Sequence, residues 1–294
     1  MSVIRSVGVV GAGLMGGGIA QAAATAGFNT ILRDVDETAL RKARAGIERS
    51  TAKFVEKGGL TTEARDAALS RLRTVTDLEE LAAVDLLIEA VPEDMAIKHH
   101  LFQELNSLCP PATAFASNTS SLSIGVLASG SGRPDRFVGL HFFNPVPLMP
   151  LVEVIRGDGT SADTYAAALE FVRRLGKETV EAKDVPGFVV NLLLVPFLLD
   201  AVRALERGVA TAVDIDRGMA LGCGHPMGPL TLLDFVGLDT VVRIGDIMHA
   251  GYAEERYAAP ALLRRMVAAG SLGKKSGRGF YDYSVTPPAP VRLA

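Results

Sequence analysis

Apolar runs of strand length alternate with helix-like stretches through the first part of the chain. Six of these runs predict buried strands: residues 7–10, 30–32, 84–91, 112–117, 137–141 and 151–155. Helical patterns follow the first run and also fill residues 94–108. Strands that alternate with helices are typical of a doubly wound α/β fold, so we predict a mostly parallel sheet covered by helices.

The pattern changes after Asp184-Val185-Pro186-Gly187, where long helical stretches replace the strand-like alternation. They predict five helices, at residues 188–207, 211–221, 229–236, 239–248 and 261–269. We therefore divide the chain into an α/β domain, residues 1–184, and an all-α domain, residues 185–294. Pro196 is expected to kink the first of these helices. Nearly every face of that helix is apolar, so protein must cover it, and a homodimer through the helical domain is one way to do so.

A glycine-rich turn joins the first predicted strand to the first predicted helix. The turn reads Gly11-Ala12-Gly13-Leu14-Met15-Gly16, and Asp34 stands at the end of the second strand. In this context Gly11 permits a tight turn, Gly13 leaves room for a pyrophosphate, and Gly16 lets the helix pack closely on the strand.

The same turn predicts which dinucleotide binds. The helix N-terminus offers unpaired N–H groups to phosphates, and Asp34 suits the two hydroxyls of an adenosine ribose. A carboxylate at that position would repel a 2′-phosphate. We therefore predict a Rossmann-like domain that binds NAD in preference to NADP.

Polar side chains follow several of the predicted strands. They are Glu93, Asn118, Ser120, His141 and Asn144. Ligands of doubly wound sheets bind beyond the carboxyl ends of the strands, so these side chains are expected to converge on one active site.

His141 and Glu153 are the strongest candidates for chemistry. His141 lies in an apolar-aromatic stretch, and Glu153 lies in the apolar run at residues 151–155. Histidine is the natural proton acceptor near neutral pH, and an apolar strand should not carry a carboxylate unless something pairs with it. The two can be a base and its orienting partner, although two unrelated polar residues on adjacent strands would give the same pattern.

Composition narrows the class of protein. The 294 residues are 48% hydrophobic and 21% charged, with a net charge of −3, which is ordinary for a globular protein and argues against a nucleic-acid partner. Cys109 and Cys223 have no metal-binding or redox motif around them, so we expect no metal, and thiols of this kind are typical of the reducing cytoplasm. The longest apolar stretch, residues 188–199, is too short to span a bilayer, and no secretory signal is visible.

Taken together, the motifs resemble those of the L-3-hydroxyacyl-CoA dehydrogenase family, and especially its short bacterial members that act on 3-hydroxybutyryl-CoA. The matching motifs lie at residues 11–16, 88–93, 117–122, 141–147, 186–191, 225–229, 273–277 and 279–281. The resemblance runs from Val7 to about Tyr283. It implies NAD-dependent interconversion of an L-3-hydroxyacyl-CoA and a 3-ketoacyl-CoA.

The resemblance also implies roles for individual residues. His141 corresponds to the general base, Glu153 to the carboxylate that orients it, and Ser120 and Asn191 to residues that hydrogen-bond the reacting oxygen. Implied cofactor contacts are the glycine turn with Leu14 and Met15, Asp34, Glu93, Lys98, Asn118, Ser120, Asn144 and Lys275. Ser120 and Asn191 would also contact the substrate, and its coenzyme A part would meet Ser50, Lys53 and Lys57. These three share one helix face, which could equally be a solvated charged face.

Three alternatives stay open. The enzyme could have a broader range of acyl chains, or serve a particular pathway with a substrate such as 3-hydroxyadipyl-CoA. It could also be a cofactor-binding relative that has lost catalysis, although the presence of Ser120, His141, Glu153 and Asn191 speaks against this. Dehydrogenases of the 6-phosphogluconate or hydroxyisobutyrate type share the architecture but commonly use lysine as acid and base, which would leave His141 and Glu153 unexplained.

Overall fold

The computed structural model describes residues 3–291, and the chain divides into two compact units between Val185 and Pro186. The strands of the first unit are β1 (Ser6–Val10), β2 (Asn29–Arg33), β3 (Leu72–Val75), β4 (Leu86–Glu89), β5 (Ala114–Ser117), β6 (Phe137–Phe142), β7 (Leu151–Arg156) and β8 (Glu178–Lys183). Its helices are α1 (Leu14–Thr25), α2 (Glu37–Glu56), α3 (Thr62–Arg71), α4 (Met95–Leu108), α5 (Ile124–Gly130) and α6 (Ala162–Arg174).

The eight strands form one sheet in the order β3-β2-β1-β4-β5-β6-β7-β8. Neighbouring strands run parallel except β6 and β7, which are antiparallel. The predicted doubly wound, mostly parallel fold is therefore confirmed. The outermost strands, β3 and β8, were not among the six runs predicted as strands; both carry more polar residues than the central ones.

The direction of chain growth reverses on either side of β1. From β1 the chain passes to β2 and β3 on one side, and β4 then lies on the other side. The turns after β1 and β4 therefore diverge and leave a crevice at the carboxyl edge of the sheet, which is where doubly wound folds bind ligands. All four residues of β4 and of β5 are buried, as expected for strands covered on both faces.

The second unit is helical, with α7 (Val190–Glu206), α8 (Ala212–Cys223), α9 (Pro229–Val236), α10 (Leu238–Tyr252) and α11 (Ala261–Ala268). Pro196 lies inside α7 without ending it. One element was not predicted: β9 (Tyr281–Asp282) and β10 (Ala289–Pro290) form a two-residue antiparallel pair. No helix in the described part of the chain is both long and apolar enough to cross a membrane.

The α7 helix is only partly covered by the rest of the chain. Val195, Leu198, Leu199 and Val202 are buried in the core of the second unit, whereas Leu193 is 67% exposed. The helical core therefore covers one apolar face of α7 and leaves Leu193 on another face exposed.

Candidate active site

The glycine turn after β1 has the geometry that a dinucleotide requires. Gly11 has φ +103°, and a Cβ on Gly16 would lie 1.7 Å from the Gly11 carbonyl oxygen, so neither position tolerates a side chain. A Cβ on Gly13, by contrast, would meet nothing within 4 Å, so the backbone there faces open space.

The start of α1 differs from the starts of α2 and α4. Asp36 and Asp94 cap α2 and α4 through their side chains, whereas α1 begins at Gly13 with no side-chain cap. The first N–H groups of α1 therefore have no side-chain acceptor at the cap, and they lie where a pyrophosphate would bind. These observations fit NAD, whose phosphates this turn and helix would hold.

Asp34 is held at the end of β2 by the same turn. Its Oδ2 accepts a hydrogen bond from the Ala12 amide at 2.6 Å, and its Oδ1 accepts one from the Asp36 amide at 3.0 Å. Arg33, which could compete for a 2′-phosphate, donates its Nε to the Thr76 carbonyl oxygen at 3.0 Å. The Asp34 carboxylate is thus fixed beside the glycine turn, as recognition of a ribose requires.

His141 and Glu153 are directly opposite each other on the antiparallel strands β6 and β7. His141 Nδ1 lies 2.6 Å from Glu153 Oε2, and the Phe143 ring is 4.6 Å from the imidazole, centre to centre. His141 is 6% exposed and Glu153 is fully buried. A carboxylate at Nδ1 fixes the orientation of the ring and directs Nε2 away from Glu153, which is the arrangement of a general base and its orienting partner.

Ser120 lies in the loop after β5, and a single carboxylate organises that loop. Glu93 Oε1 accepts hydrogen bonds from the Ser120 amide at 3.0 Å, the Thr119 hydroxyl at 2.5 Å and the Ser121 hydroxyl at 3.2 Å. In the same loop, Asn118 Oδ1 accepts a hydrogen bond from the Phe142 amide at 2.9 Å. The Ser120 loop is therefore tied both to the β4–α4 turn and to the strand that carries His141.

A buried ion pair behind this loop was not predicted. Lys98 Nζ lies 2.5 Å from Glu89 Oε1 and 3.2 Å from Glu93 Oε2. The side chains of Glu89 and Lys98 are 0% and 1% exposed. Glu89 also accepts hydrogen bonds from the Ser117 hydroxyl at 2.6 Å and the Val91 amide at 2.7 Å. Lys98, which the resemblance implies as a cofactor contact, is engaged here with protein carboxylates.

The two carboxylates of this cluster respond differently to burial. Burial raises the pKa of Glu89. Lys98 and the hydrogen-bond donors of Glu89 act to lower that pKa, but the effect of burial is larger, so the pKa lies above its ordinary value. Burial also acts to raise the pKa of Glu93, but Lys98, Thr119 and the Ser120 amide together bring it below its ordinary value. Glu93 is therefore the carboxylate that the cluster holds ionised.

The remaining candidates of the first unit are more exposed. Asn144 is exposed in the loop after β6. Ser50 is half-buried on α2, and its hydroxyl accepts a hydrogen bond from the Gln21 amide group at 3.0 Å. Lys53 is exposed on α2 and Lys57 is exposed at its C-cap, where a charged ligand could reach them.

Two predicted site residues belong to the second unit. Asn191 is buried in the first turn of α7. Lys275 Nζ lies 2.5 Å from Asp239 Oδ1, and the lysine side chain is 48% exposed. Among residues 3–291, no group of three or more His, Cys, Asp or Glu side chains is arranged to hold a metal ion.

The missed cluster did leave a signal in the sequence. Glu89 ends a fully buried apolar strand, as Glu153 sits within one, and the argument that an apolar strand should not carry an unpaired carboxylate applies equally to both. The partner of Glu89 was harder to find, because Lys98 looks like an ordinary helix-surface lysine in the sequence.

A doubly wound sheet with an open glycine turn, a carboxylate held beside that turn and a buried histidine–carboxylate pair is typical of an NAD-dependent dehydrogenase. Residues 6–185 match the NAD-binding domain of 3-hydroxyacyl-CoA dehydrogenases, and residues 187–283 match their C-terminal domain. The chain belongs to the 3-hydroxyacyl-CoA dehydrogenase family. The predictions of an NAD-dependent oxidoreductase of 3-hydroxyacyl-CoA and of NAD as its cofactor are thereby confirmed.

Similar proteins span nearly the same length. The chain is 46% identical over 291 residues to a 3-hydroxybutyryl-CoA dehydrogenase of Bradyrhizobium diazoefficiens, covering 99% of both proteins. It is also 46% identical over 288 residues to the mitochondrial hydroxyacyl-coenzyme A dehydrogenase of Homo sapiens, covering 96% of this chain and 92% of that protein. The crystal structure of (S)-3-hydroxybutyryl-CoA dehydrogenase from Ralstonia eutropha matches with a TM-score of 0.92 and 44% identity, covering 96% of this chain and all of the other.

Proposed function

We propose that this enzyme interconverts L-3-hydroxybutyryl-CoA and acetoacetyl-CoA, with His141 as the general acid and base. The observation that carries this proposal is the buried pair of His141 Nδ1 and Glu153 Oε2, 2.6 Å apart at the end of β6. Two similar proteins named above as 3-hydroxybutyryl-CoA dehydrogenases support the four-carbon substrate.

In the proposed reaction the substrate alcohol loses one hydride and one proton. NAD, when bound, supplies the hydride acceptor for the hydrogen on C3 of the substrate. His141 Nε2 takes the proton of the C3 hydroxyl, and the alcohol becomes a ketone. Glu153 stabilises the imidazolium that results and keeps Nε2 directed away from itself. In the reverse direction His141 returns the proton to the oxygen.

Ser120 and Asn191 are proposed to donate hydrogen bonds to the reacting oxygen. Donors that are already in place stabilise developing negative charge without reorganising during the reaction. The tight anchoring of the Ser120 loop by Glu93 supports such a role for Ser120. For Asn191, the support is a buried amide side chain in the first turn of an otherwise apolar helix.

The other proposed contacts concern the two nucleotide-containing ligands. Gly11, Gly13, Leu14, Met15 and Gly16 would hold the pyrophosphate of NAD. Asp34 and Glu93 would meet the ribose groups of NAD. Asn118 and Asn144 would lie on its nicotinamide side. Lys275, near the end of the chain, would make one more contact with the cofactor. Ser50, Lys53 and Lys57 would meet coenzyme A, because exposed ammonium groups suit its phosphates.

A cytoplasmic homodimer, joined through the second unit, is the proposed form of the enzyme. Leu193, Val209 and Leu221 of that unit are 67%, 72% and 75% exposed, which leaves apolar surface for a second copy. Cys109 and Cys223 are both unpaired, which is typical of proteins in a reducing compartment. A light-scattering mass of one chain at micromolar concentration would contradict the dimer.

The substrate proposal is tested by following NADH consumption with acetoacetyl-CoA and with longer 3-ketoacyl-CoAs. We expect clear activity with acetoacetyl-CoA and a lower kcat/KM for longer chains. Equal identity to a 3-hydroxybutyryl-CoA enzyme and to a hydroxyacyl-CoA enzyme makes chain length the open question. A higher kcat/KM with the longer substrates would replace this proposal with a broader-specificity enzyme.

A further inference from the structure

The buried cluster of Glu89, Lys98 and Glu93 has no role in the proton transfer described above. Lys98 is engaged by the protein itself, because its side chain is 1% exposed and its ammonium contacts two carboxylates. Burying these charges is costly and is tolerated only when they are paired and hydrogen-bonded. A cluster of this kind directly behind the active-site loop calls for an explanation.

The contacts of the cluster form a continuous path to Ser120. Glu89, at the end of β4, holds the ammonium of Lys98 on α4 at 2.5 Å. Lys98 contacts Oε2 of Glu93 at 3.2 Å, and Oε1 of Glu93 receives the Ser120 amide at 3.0 Å. Each of these contacts joins a different element. Strand β4 and helix α4 therefore fix the position of the Ser120 loop through Glu93.

We propose that Lys98, anchored by Glu89, is a positioning residue that acts through Glu93 to hold the loop carrying Ser120 in its reactive place. This inference rests on the proposed function for its kinetic readout, because it concerns the same reaction. It assigns Lys98 to the protein side of Glu93 and gives Glu89 the role of fixing the ammonium there.

The charge state of Glu93 is the physical link. The Ser120 amide and the Thr119 and Ser121 hydroxyls all donate to Oε1 of Glu93, and an ionised carboxylate is a stronger acceptor for them than a neutral carboxyl group. A proton on Oε2 would also face the Lys98 ammonium, which contacts that oxygen. The ionisable side chains in contact within this part of the described chain are Glu89, Glu93 and Lys98. Lys98 is therefore the cation that favours the ionised Glu93 and so strengthens all three hydrogen bonds.

The test is a double-mutant cycle of Lys98→Met and Glu93→Gln, assayed with NADH and acetoacetyl-CoA. We expect each single variant to lose about 10- to 100-fold in kcat/KM, the scale for a misplaced reactive group. If Lys98 acts through Glu93, the double variant should be no worse than Glu93→Gln alone. Losses that multiply in the double variant would overturn the proposal, since they would mean that Lys98 acts independently.

A pH profile supplies a readout that a purely structural role would not move. Removing Lys98 takes away a contact that lowers the pKa of Glu93, so that pKa should rise. Activity of Lys98→Met should then fall as the pH decreases through the raised pKa and recover at higher pH. Glu93→Gln has no carboxylate to titrate and should lack this shift. An unshifted profile in Lys98→Met would contradict the proposed link.

Hydrogen exchange at the Ser120 amide tests the inference without any activity. The protection factor of a peptide spanning residues 118–122, which corrects the exchange rate for its intrinsic dependence on pH, should be lower in Lys98→Met than in the wild type, and lower still at lower pH. Leu101→Ala is the matched control, since it removes buried packing from α4 without touching a carboxylate. This control should lower the Tm but leave the pH profile and the exchange of this peptide unchanged.

Two further arms keep the outcome clear. If Lys98→Met fails to fold, the isosteric Glu89→Gln should show a smaller loss of the same kind, again absent in a Glu93→Gln background. If the wild type is inactive with acetoacetyl-CoA, the proposed function fails, and the exchange experiment alone judges this inference. Unchanged exchange in both Lys98→Met and Glu89→Gln would overturn it.

Discussion

Two buried carboxylates sit on different strands of the same sheet and have different partners. Glu153 on β7 faces an imidazole across an antiparallel pair, whereas Glu89 on β4 faces an ammonium from a helix. Both are fully buried. Imidazole is the side chain best suited to proton transfer, whereas an ammonium held between carboxylates serves as a fixed cation, so the first pair suits chemistry and the second suits positioning.

The comparison shows that burial of a carboxylate does not by itself mark a catalytic group. Its partner decides what the pair can do, and its place on the sheet decides what the pair can reach. His141 Nδ1 is engaged by Glu153, which leaves Nε2 on the opposite side of the ring. The Glu89–Lys98 pair instead connects to Glu93 and the Ser120 loop.

The largest effect on turnover is expected when the imidazole itself is removed. His141→Ala should reduce kcat with acetoacetyl-CoA by about 100-fold or more, the usual scale for losing acid–base catalysis. The control is His100→Ala on α4, which removes an exposed histidine and should leave the rate unchanged. Near-wild-type turnover in His141→Ala would remove the distinction between the two carboxylate pairs.

A smaller effect is expected when the carboxylate partner of His141 is neutralised. Glu153→Gln keeps the shape of the side chain but can no longer stabilise the imidazolium, so kcat should fall by about 10- to 100-fold. Glu181→Gln makes the same chemical change at an exposed position on β8 and serves as the control. Equal losses in both variants would show that the buried location of Glu153 confers nothing special.

Cofactor selection is expected to be separate from both pairs. Asp34→Ala should weaken NAD binding by about tenfold, because a charged group that accepts hydrogen bonds is lost, and should weaken NADP binding much less. Dissociation constants for the two reduced cofactors, measured by fluorescence titration, give the ratio. If both cofactors weaken equally, Asp34 does not select between them.

The smallest kinetic effect is expected when Glu89 loses one of its hydrogen-bond donors but keeps Lys98. Ser117→Ala removes the hydroxyl that donates to Glu89 Oε2 at 2.6 Å. The free energy of unfolding should fall by about 1.5–3 kcal/mol, the range for hydrogen bonds to charged groups. The activity should stay close to wild type, since Lys98 and Glu93 remain in place. Denaturant unfolding and steady-state kinetics measure the two effects, and a kinetic loss as large as that of Lys98→Met would contradict this division.

Much of the first unit could be predicted because its signals are local. The glycine turn, its flanking strand and helix, and Asp34 lie within 29 residues of one another, from Ser6 to Asp34. The spacing of such a motif already contains the geometry that a pyrophosphate and a ribose need. The central strands were equally clear, since β4 and β5 are apolar up to their last residues, Glu89 and Ser117, and are buried on both faces.

The polar cluster behind Ser120 could not be predicted in the same way. Glu89 and Lys98 are nine residues apart, but Glu93 reaches across to hydroxyls more than twenty residues along the chain. No periodicity records such contacts, because they depend on β4 and β5 lying side by side. The edge strands β3 and β8 were missed because their exposed polar residues hide the strand pattern.

The sequence by itself determined the alternation of strands and helices, the nucleotide-binding turn and the residue types available for proton transfer. Those features depend on neighbours in the chain and on the period of hydrophobic positions. Only the tertiary structure decided that β7 runs antiparallel to β6 and so sets Glu153 opposite His141. It also decided that Lys98 points inward rather than to solvent. Both outcomes depend on which elements pack together, since a buried charge is stable only where the fold brings its partner within hydrogen-bonding distance.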